Sequence, residues 1–416
     1  MRITAITTSL CGISAQKIAE NFISVWAEKR PEDQLDYLLA PTDLPGFGSG
    51  LSEIYSVLFA DYAHCLSQPK DEIKVEYFAK AKTILIDLST SYSISSQLTS
   101  LPTESTASLG KALRELLGWV QDGKNLSVET KLPANLRAGL KSRQVQIHLH
   151  LPRLSTHSDL GLGMLAEFLG CAEAADENEL LTQLQQFHQA LSELEIRVTY
   201  SEEQALLGLS GMAYAWTFLG LDRQVAQDFE RKIGGFATKL SKFELTPQLK
   251  LHSTSSVGDF SDSGKVKISG VAGGLGAVFQ DPRYRPVLLG DFLLGIPQYQ
   301  QKVTALSEAD LLLFITDDVQ QISPRIFQII SDLALDAGVP LVLLSSRNTL
   351  RRGELGKLGL AGVHQIFSHP VLSDSSIPLV RTGVELVEEK FLDVFFTQYR
   401  SSLERVLHTW TWEFPG

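Results

Sequence analysis

The residues best suited to chemistry in this chain are a glycine string, three carboxylates and three histidines. Gly270-Val271-Ala272-Gly273-Gly274-Leu275-Gly276 precedes a short predicted helix near 275–279. Glycines at Gly270, Gly273, Gly274 and Gly276 would let backbone N–H groups approach an anion at a helix start. The same string equally suits a tight turn with close packing. A second loop, Gly46-Phe47-Gly48-Ser49-Gly50, opens a predicted helix from Leu51. Gly46 and Gly48 make it a flexible cradle, Ser49 can cap the helix or touch a ligand, and a turn is the plainer reading.

Asp159 precedes a predicted helix over 160–165, where it can hold Mg²⁺, orient a substrate hydroxyl or cap the helix. Asp317 and Asp318 end a predicted buried strand at its carboxyl edge, the usual ligand side of an open α/β sheet. Adjacent carboxylates there can coordinate Mg²⁺, although most such pairs are solvated loop residues. His148, His150 and His157 raise the question of zinc. The first two share one face of a predicted strand. No fourth ligand accompanies them, so no metal centre is assigned and half-buried packing is the plainer reading. No Gly-x-Ser-x-Gly elbow occurs, and nothing suggests a Ser-His-Asp or Cys-His nucleophile system.

These residues must be positioned by strand–helix units. Residues 2–6 form a short apolar strand, followed by a helix with Ile18, Phe22, Val25 and Trp26 on one face. A strand over 35–40 and the helix from Leu51 complete the first stretch. Character changes near residue 70, with β-rich runs at 73–78 and 83–88, a Ser/Thr-rich connection over 89–108, a helix over 109–121 and a strand over 145–151. Two helices between 159 and 192, a strand over 196–199 and mostly helical sequence over 211–243 follow.

A Ser/Gly-rich stretch over 253–270 marks a second boundary. Beyond it, 310–316 is a continuous apolar run typical of a parallel strand covered on both faces. Ser323-Pro324 starts a helix that Gly338 closes, and a strand over 340–344 follows. The pattern predicts an α/β protein in which residues 1–70 and 271–416 make one discontinuous doubly wound, flavodoxin- or Rossmann-like domain and 71–270 an inserted α/β domain.

The balance of charge narrows the partners. A formal net charge of −11, without a Lys/Arg run, argues against nucleic acid or an anionic membrane as the main partner. The unpatterned Cys11, Cys65 and Cys171 suit a reducing compartment. No apolar stretch approaches the ~18 residues of a membrane span, and the N-terminus reads as a strand rather than a signal peptide. The expectation is a cytoplasmic protein with a small-molecule ligand; the oligomeric state is not read from the sequence.

The string Gly270-Val271-Ala272-Gly273-Gly274-Leu275-Gly276-Ala277 resembles the Gly-Ala-Ala-Gly-Gly-Leu-Gly-Ala segment of the glycerate kinases. Other segments then fall in that family's order. Residues 1–19 resemble its N-terminal strand and helix, Gly46 to Ser49 its Asp-Gly-Gly-Glu-Gly-Thr loop, and Ser155 to Leu165 its Ser-Ala-Thr-Asn-Asp-Gly-Gly-Ala-Gly-Met-Leu segment. Residues 310–338 resemble the strand and helix flanking its Gly-Glu-Gly-Arg segment.

The resemblance implies a two-domain fold with the active site in an interdomain cleft. There, ATP with Mg²⁺ would phosphorylate glycerate or a similar small hydroxy acid. Asp159, Asp317 and Asp318 would be catalytic, and the glycines with Ser49 and Ser155 would bind substrate or nucleotide. The departures fall on the charged residues. Thr8 and Cys11 stand where the family has Asp and Lys, Leu44 and Phe47 where it has Asp and Glu, and Ser158 where it has Asn. Ser201 to Ala205 replace Asp-Val-x-Asn-Pro, and a lysine is missing near Gly220. Asp159, Gly161 and Gly163 are kept. The alternative is therefore a catalytically degenerate relative that binds a ligand or a partner.

Overall fold

The computed structural model of the chain describes residues 1–42, 48–67, 72–92, 98–122, 136–174, 177–241, 267–318, 324–348, 350–366 and 389–410. Among the described residues the strands run in chain order as β1 (Arg2–Thr7), β2 (Gln34–Leu39), β3 (His64–Cys65), β4 (Val75–Phe78), β5 (Thr83–Asp87), β6 (Gln146–Leu151), β7 (Ile196–Tyr200), β8 (Val287–Leu288), β9 (Leu311–Asp318), β10 (Leu341–Arg347) and β11 (Gly362–Gln365). The chain divides into two units, Met1–Leu58 with Gly290–Gly416, and Phe59–Leu289.

In the first unit the sheet order is β11-β10-β9-β1-β2, and every pairing is parallel. The order reverses between β1 and β9, the arrangement of flavodoxin-like sheets, whose ligands sit at the carboxyl ends of the strands flanking the reversal. Ile3 lies opposite Leu311 and Thr7 opposite Ile315, so the N-terminal strand and the apolar run expected to share a sheet are direct neighbours. The helix Ala15–Lys29 buries Ile18, Phe22, Val25 and Trp26. This face joins Ile3, Ala5, Leu313 and Val342 in one core with Phe395, Tyr399 and Leu403 of the helix Glu389–Trp410. Each fully buried aliphatic side chain contributes ~1.5–3 kcal/mol relative to exposure.

In the second unit the order is β3-β4-β5-β6-β7-β8, with β3-β4-β5 antiparallel and the rest parallel. Ile147 and Leu149 of β6 face the main core beside Leu113 of the helix Ala107–Asp122 and Leu184 of the helix Glu177–Leu191. Strand alternation therefore turns His148 and His150 to the other face.

The unit boundaries differ from the expected 70 and 271. Residues 59–70 and 271–289 belong with the inserted unit, because the β3–β4 pair adds to its sheet at one edge and β8 pairs with β7 at the other. The glycine segment thus lies in the second unit, whereas its composition placed most of it in the first. Ser323, the expected helix cap, lies outside the described residues; the helix runs Pro324–Ala337. Among the described residues no helix is long and apolar enough to cross a membrane.

Candidate functional site

Two groupings, one in each unit, contain the chemistry-bearing residues. The first is the carboxyl edge of β1, β9 and β10. Thr8 Oγ1 lies 3.0 Å from Thr316 Oγ1, joining the ends of the two strands at the reversal point. Beside them Cys11 Sγ donates to Asp317 Oδ1 at 3.3 Å, and Ser346 Oγ donates to the same carboxylate. Cys11 holds φ +48°, a left-handed conformation uncommon outside glycine, which turns the chain sharply after β1. Ser345 is fully buried next to Thr316 in the register, and its hydroxyl has no hydrogen-bond partner among the described residues. The edge is a row of hydroxyls with one carboxylate and no cation among the groups named. Asp318 pairs with Arg347 through the β9–β10 backbone.

Sequence reasoning missed Glu53. This residue, in the first turn of the helix Leu51–Phe59, accepts the Gln16 backbone N–H at 3.1 Å. Its carboxylate therefore sits at the N-terminus of the helix Ala15–Lys29, which Ser14 Oγ also caps through Lys17 N. Burial holds the Glu53 carboxyl above its ordinary range, against the hydrogen bonds from the Gln16 and Ala15 backbone. A helix start beside the reversal point is where a phosphate would otherwise find backbone donors; here the chain supplies its own anion. The sequence signal was only an acidic residue in a first helical turn, which is too common to single out.

The loop before that helix is partly described. Gly46 lies outside the described residues. Gly48 has φ +74°, and Ser49 is buried, its Oγ accepting Leu51 N at 3.3 Å while its carbonyl accepts Thr42 N at 3.1 Å. These bonds hold the turn that launches the helix.

The second grouping joins Asp159, Ser155 and the glycine segment. Asp159 Oδ2 accepts Thr106 N at 2.7 Å, Thr106 Oγ1 at 3.0 Å, Ser105 Oγ at 3.0 Å and Gly163 N at 3.1 Å. Its Oδ1 accepts Gly161 N at 3.1 Å. A carboxylate has about four lone-pair sites, so the four donors converging on Oδ2 more than fill that oxygen, while Oδ1 takes one. The helix begins at Leu162, later than expected, because Leu160 and Gly161 both take positive φ. Asp159 bonds N–H groups at that start and ties it to residues 105 and 106. Oδ2 is thus spent on the protein's own donors rather than presented to an ion. Ser155 Oγ is likewise engaged, accepting His157 N at 3.0 Å.

The glycine segment packs tightly inside its own unit. Gly270 N donates to Gln204 O at 2.8 Å, Val271 N to Ile268 O at 3.1 Å and Ala272 N to Pro152 O at 2.9 Å. Those three donors are therefore spent on carbonyls rather than presented to a phosphate. A Cβ on Gly270, Gly273 or Gly276 would collide with the carbonyls of Ala205, His157 and Ile268 respectively. Gly274 combines φ +100° with a would-be Cβ 2.7 Å from Leu160 Cδ2 and 3.0 Å from Leu160 Cα. The following helix, Leu275–Val278, is a single turn, too short to develop much of a macrodipole. Close packing accounts for these glycines without a ligand.

The histidines separate. His148 Nε2 and His150 Nδ1 share Thr199 Oγ1 at 2.7 and 2.9 Å, and His150 Nε2 meets Ser201 Oγ at 3.1 Å. Burial, then the neighbouring His150 and Arg197, holds the His148 imidazole well below its ordinary value. The pair is a hydroxyl-linked buried network, the packing reading made concrete. His157 lies elsewhere, stacked on Tyr92 with ring centroids 3.6 Å apart.

With this geometry in hand, comparison with known proteins bears on the fold alone. No family model matches the chain, and no curated protein matches it in sequence. Among solved structures the chain is similar to "putative glycerate kinase 2 from Salmonella typhimurium LT2", with TM-score 0.59 and 14% identity over 98% of both chains. The fold is glycerate kinase-like. At that identity the likeness shows the fold alone. The glycerate kinase-like fold thus frames two sets of residues with different fates: hydroxyls gathered at the edge of the first sheet, and a second set engaged in holding the second unit together.

Proposed function

We propose that this chain is a divergent glycerate kinase-like protein that binds a small hydroxyl-bearing molecule without efficient phosphoryl transfer. The observation that carries the reading is Asp159. It is the motif acid retained where the resemblance expects catalysis, and its carboxylate receives five hydrogen bonds from its own unit. Phosphoryl transfer depends on positioned cations around the phosphates, a carboxylate for the metal and a group that orients the attacking hydroxyl. Thr8, Cys11 and Phe47 stand where charged groups are expected, and Glu53 brings negative charge to a helix start that would favour a phosphate.

The ligand end is proposed to be the edge formed by Thr8, Thr316, Ser345 and Asp317. Hydroxyls both donate and accept, and a carboxylate accepts from a ligand hydroxyl, so this edge suits a polyol or a hydroxy acid presented through its hydroxyl groups. A kinase acting on glycerate with ATP and Mg²⁺ is the second reading, favoured by the extent of the fold match. The experiment is a coupled ADP-release assay with glycerate beside calorimetric titration with glycerate, ATP and Mg·ATP. The expected result is hydroxy-acid binding with turnover at least ~10²-fold below an ordinary family member, the cost of losing one preorganised charged group. Turnover at the ordinary rate would overturn the proposal in favour of the kinase.

A further inference from the structure

We propose that the Thr316 and Ser345 hydroxyls form a paired donor site for one uncharged oxygen, so that the edge of the first sheet selects a neutral polyol over a hydroxy acid. The pair belongs to the ligand edge proposed above, on which this reading rests, and it narrows the class of molecule taken there. Thr316 of β9 and Ser345 of β10 stand opposite each other in the parallel register, and both are buried.

Strand alternation puts the two hydroxyls on one face of the sheet. Phe314, two residues before Thr316, packs edge-on against Phe327 of the helix Pro324–Ala337, with ring centroids 5.3 Å apart. Ile315 and Leu344 turn the other way, into the core shared with Ile18 and Phe22. Asp317 and Ser346 follow them to that second face, where Ser346 Oγ donates to Asp317 O at 2.7 Å. The edge is therefore two-sided. Asp317 is held on one face by Cys11 and Ser346, and Thr316 and Ser345 present hydroxyls on the other.

Ser345 is the sign of a missing partner. Its side chain is fully buried, and its Oγ, the atom that would meet the ligand, has no hydrogen-bond partner among the described residues. Buried hydroxyls are rarely left so. Thr316 is half engaged: its Oγ1 accepts from Thr8 Oγ1 at 3.0 Å, while its own proton reaches no acceptor among the described residues. Accepting that bond polarises the Thr316 O–H and makes it the stronger donor. No bond joins the two hydroxyls to each other. Neighbouring strands run ~4.8 Å apart and O–H···O bonds are ~2.8 Å long, so one oxygen between the hydroxyls can accept from both.

Charge decides what that oxygen carries. Both donors are neutral, Asp317 follows Thr316 directly, and Glu53 brings a second carboxylate to the helix start after β1. At the end of the ladder Asp318 and Arg347 stand opposite each other, and their formal charges cancel. A ligand carboxylate here would set like charges side by side, which complementary sites avoid. A hydroxyl or amide carbonyl oxygen accepts the same two bonds without that repulsion. Glycerate is therefore held by its hydroxyls, and its acid group weakens the complex.

The test is a saturation-transfer NMR titration of the full chain with glyceramide and with glycerate, at neutral pH and constant ionic strength. Glyceramide keeps the shape and hydroxyls of glycerate and removes only its charge. It should bind at least ~10-fold more tightly. Ser345→Ala and Thr316→Val each remove one donor and should weaken glyceramide binding about 3- to 10-fold. Because the Ser345 hydroxyl bonds nothing among the described residues, its alanine variant should melt at or above the wild-type temperature. Glycerate binding as tightly as glyceramide would overturn the preference for a neutral ligand and point to a cation such as the exposed Arg351. Unchanged glyceramide affinity in both variants would overturn the pair. A lower melting temperature in Ser345→Ala would do so too, assigning the hydroxyl to a buried water. The preference of the wild-type chain decides the matter even if a variant fails to fold. Saturation by neither molecule would overturn the ligand edge itself, and the pair with it.

Discussion

Glu53 accepts the backbone N–H of Gln16 at 3.1 Å, so the helix that follows β1 begins against a carboxylate of its own chain. In a flavodoxin-like sheet this helix start is a natural anion site, because its first N–H groups lack partners within the helix. Glu53→Gln keeps an acceptor and removes the charge. Because burial outweighs the helix-start hydrogen bonds and holds this carboxyl up, removing its charge should leave stability at neutral pH unchanged or slightly higher, with a gain in stabilisation by phosphate or sulfate relative to wild type. Thermal melts across a phosphate series, at constant ionic strength, check this. Equal phosphate response in the two proteins would remove Glu53 from that role.

Asp159 makes a different kind of prediction, because its hydrogen bonds hold two segments together. Asp159→Asn substitutes an NH₂ group or a neutral oxygen for an oxygen that now accepts four donors. Hydrogen bonds to charged groups contribute about 1.5–3 kcal/mol each, and a loss on the order of 3 kcal/mol is expected. Urea denaturation measures it. Wild-type stability in this variant would show that the carboxylate is available for a ligand after all.

Gly274 separates a packing role from a binding role. A valine there would have to hold φ +100° with its Cβ against the Leu160 backbone. Left-handed backbone costs ~1–2 kcal/mol and overpacking ~1–3 kcal/mol, so the folded state should lose about 3 kcal/mol. The midpoint of chemical denaturation reports this directly. A variant of normal stability would mean that the segment yields more easily than its contacts suggest.

His188 predicts a pH dependence. Burial, then the Arg283 charge, lowers its pKa from 6.5 to about 4, and Nδ1 pairs with the Tyr284 hydroxyl at 2.5 Å. The folded form thus binds this proton more weakly than the unfolded chain does. Stability is fully present above pH 6.5 and falls as pH drops toward about 4, where His188 charges in the folded state. The contribution is on the order of 3 kcal/mol. Glu53, raised by burial, acts in the opposite sense in the acid range. The clean measurement is therefore the slope of stability against pH in wild type minus that in His188→Gln. Equal slopes would show that His188 titrates normally.

Much of the scaffold was legible from local pattern. The apolar run at 311–315 reads as a strand covered on both faces, and the spacing of Ile18, Phe22, Val25 and Trp26 reads as the buried face of a helix. Both follow from periodicity, which a few neighbouring residues carry by themselves. The glycine string was legible as a constrained turn, but its two readings could not be separated, since an anion and a nearby carbonyl both require the space that glycine leaves. The boundaries were placed by composition, and pairing at the two edges of the second sheet moved them.

What the sequence by itself determined is therefore the order and type of the elements, because periodicity and turn chemistry act over short stretches of chain. Only the tertiary structure decided which polar groups have partners. Asp159 was visible as a motif acid, yet its engagement depends on Ser105 and Thr106, far away in the chain. His157 was visible among three histidines, yet it stacks on Tyr92, whereas His148 and His150 share the Thr199 hydroxyl. A hydrogen bond or a metal ligand is satisfied at about 3 Å or less, and such distances between distant segments are set by packing, which no local pattern records.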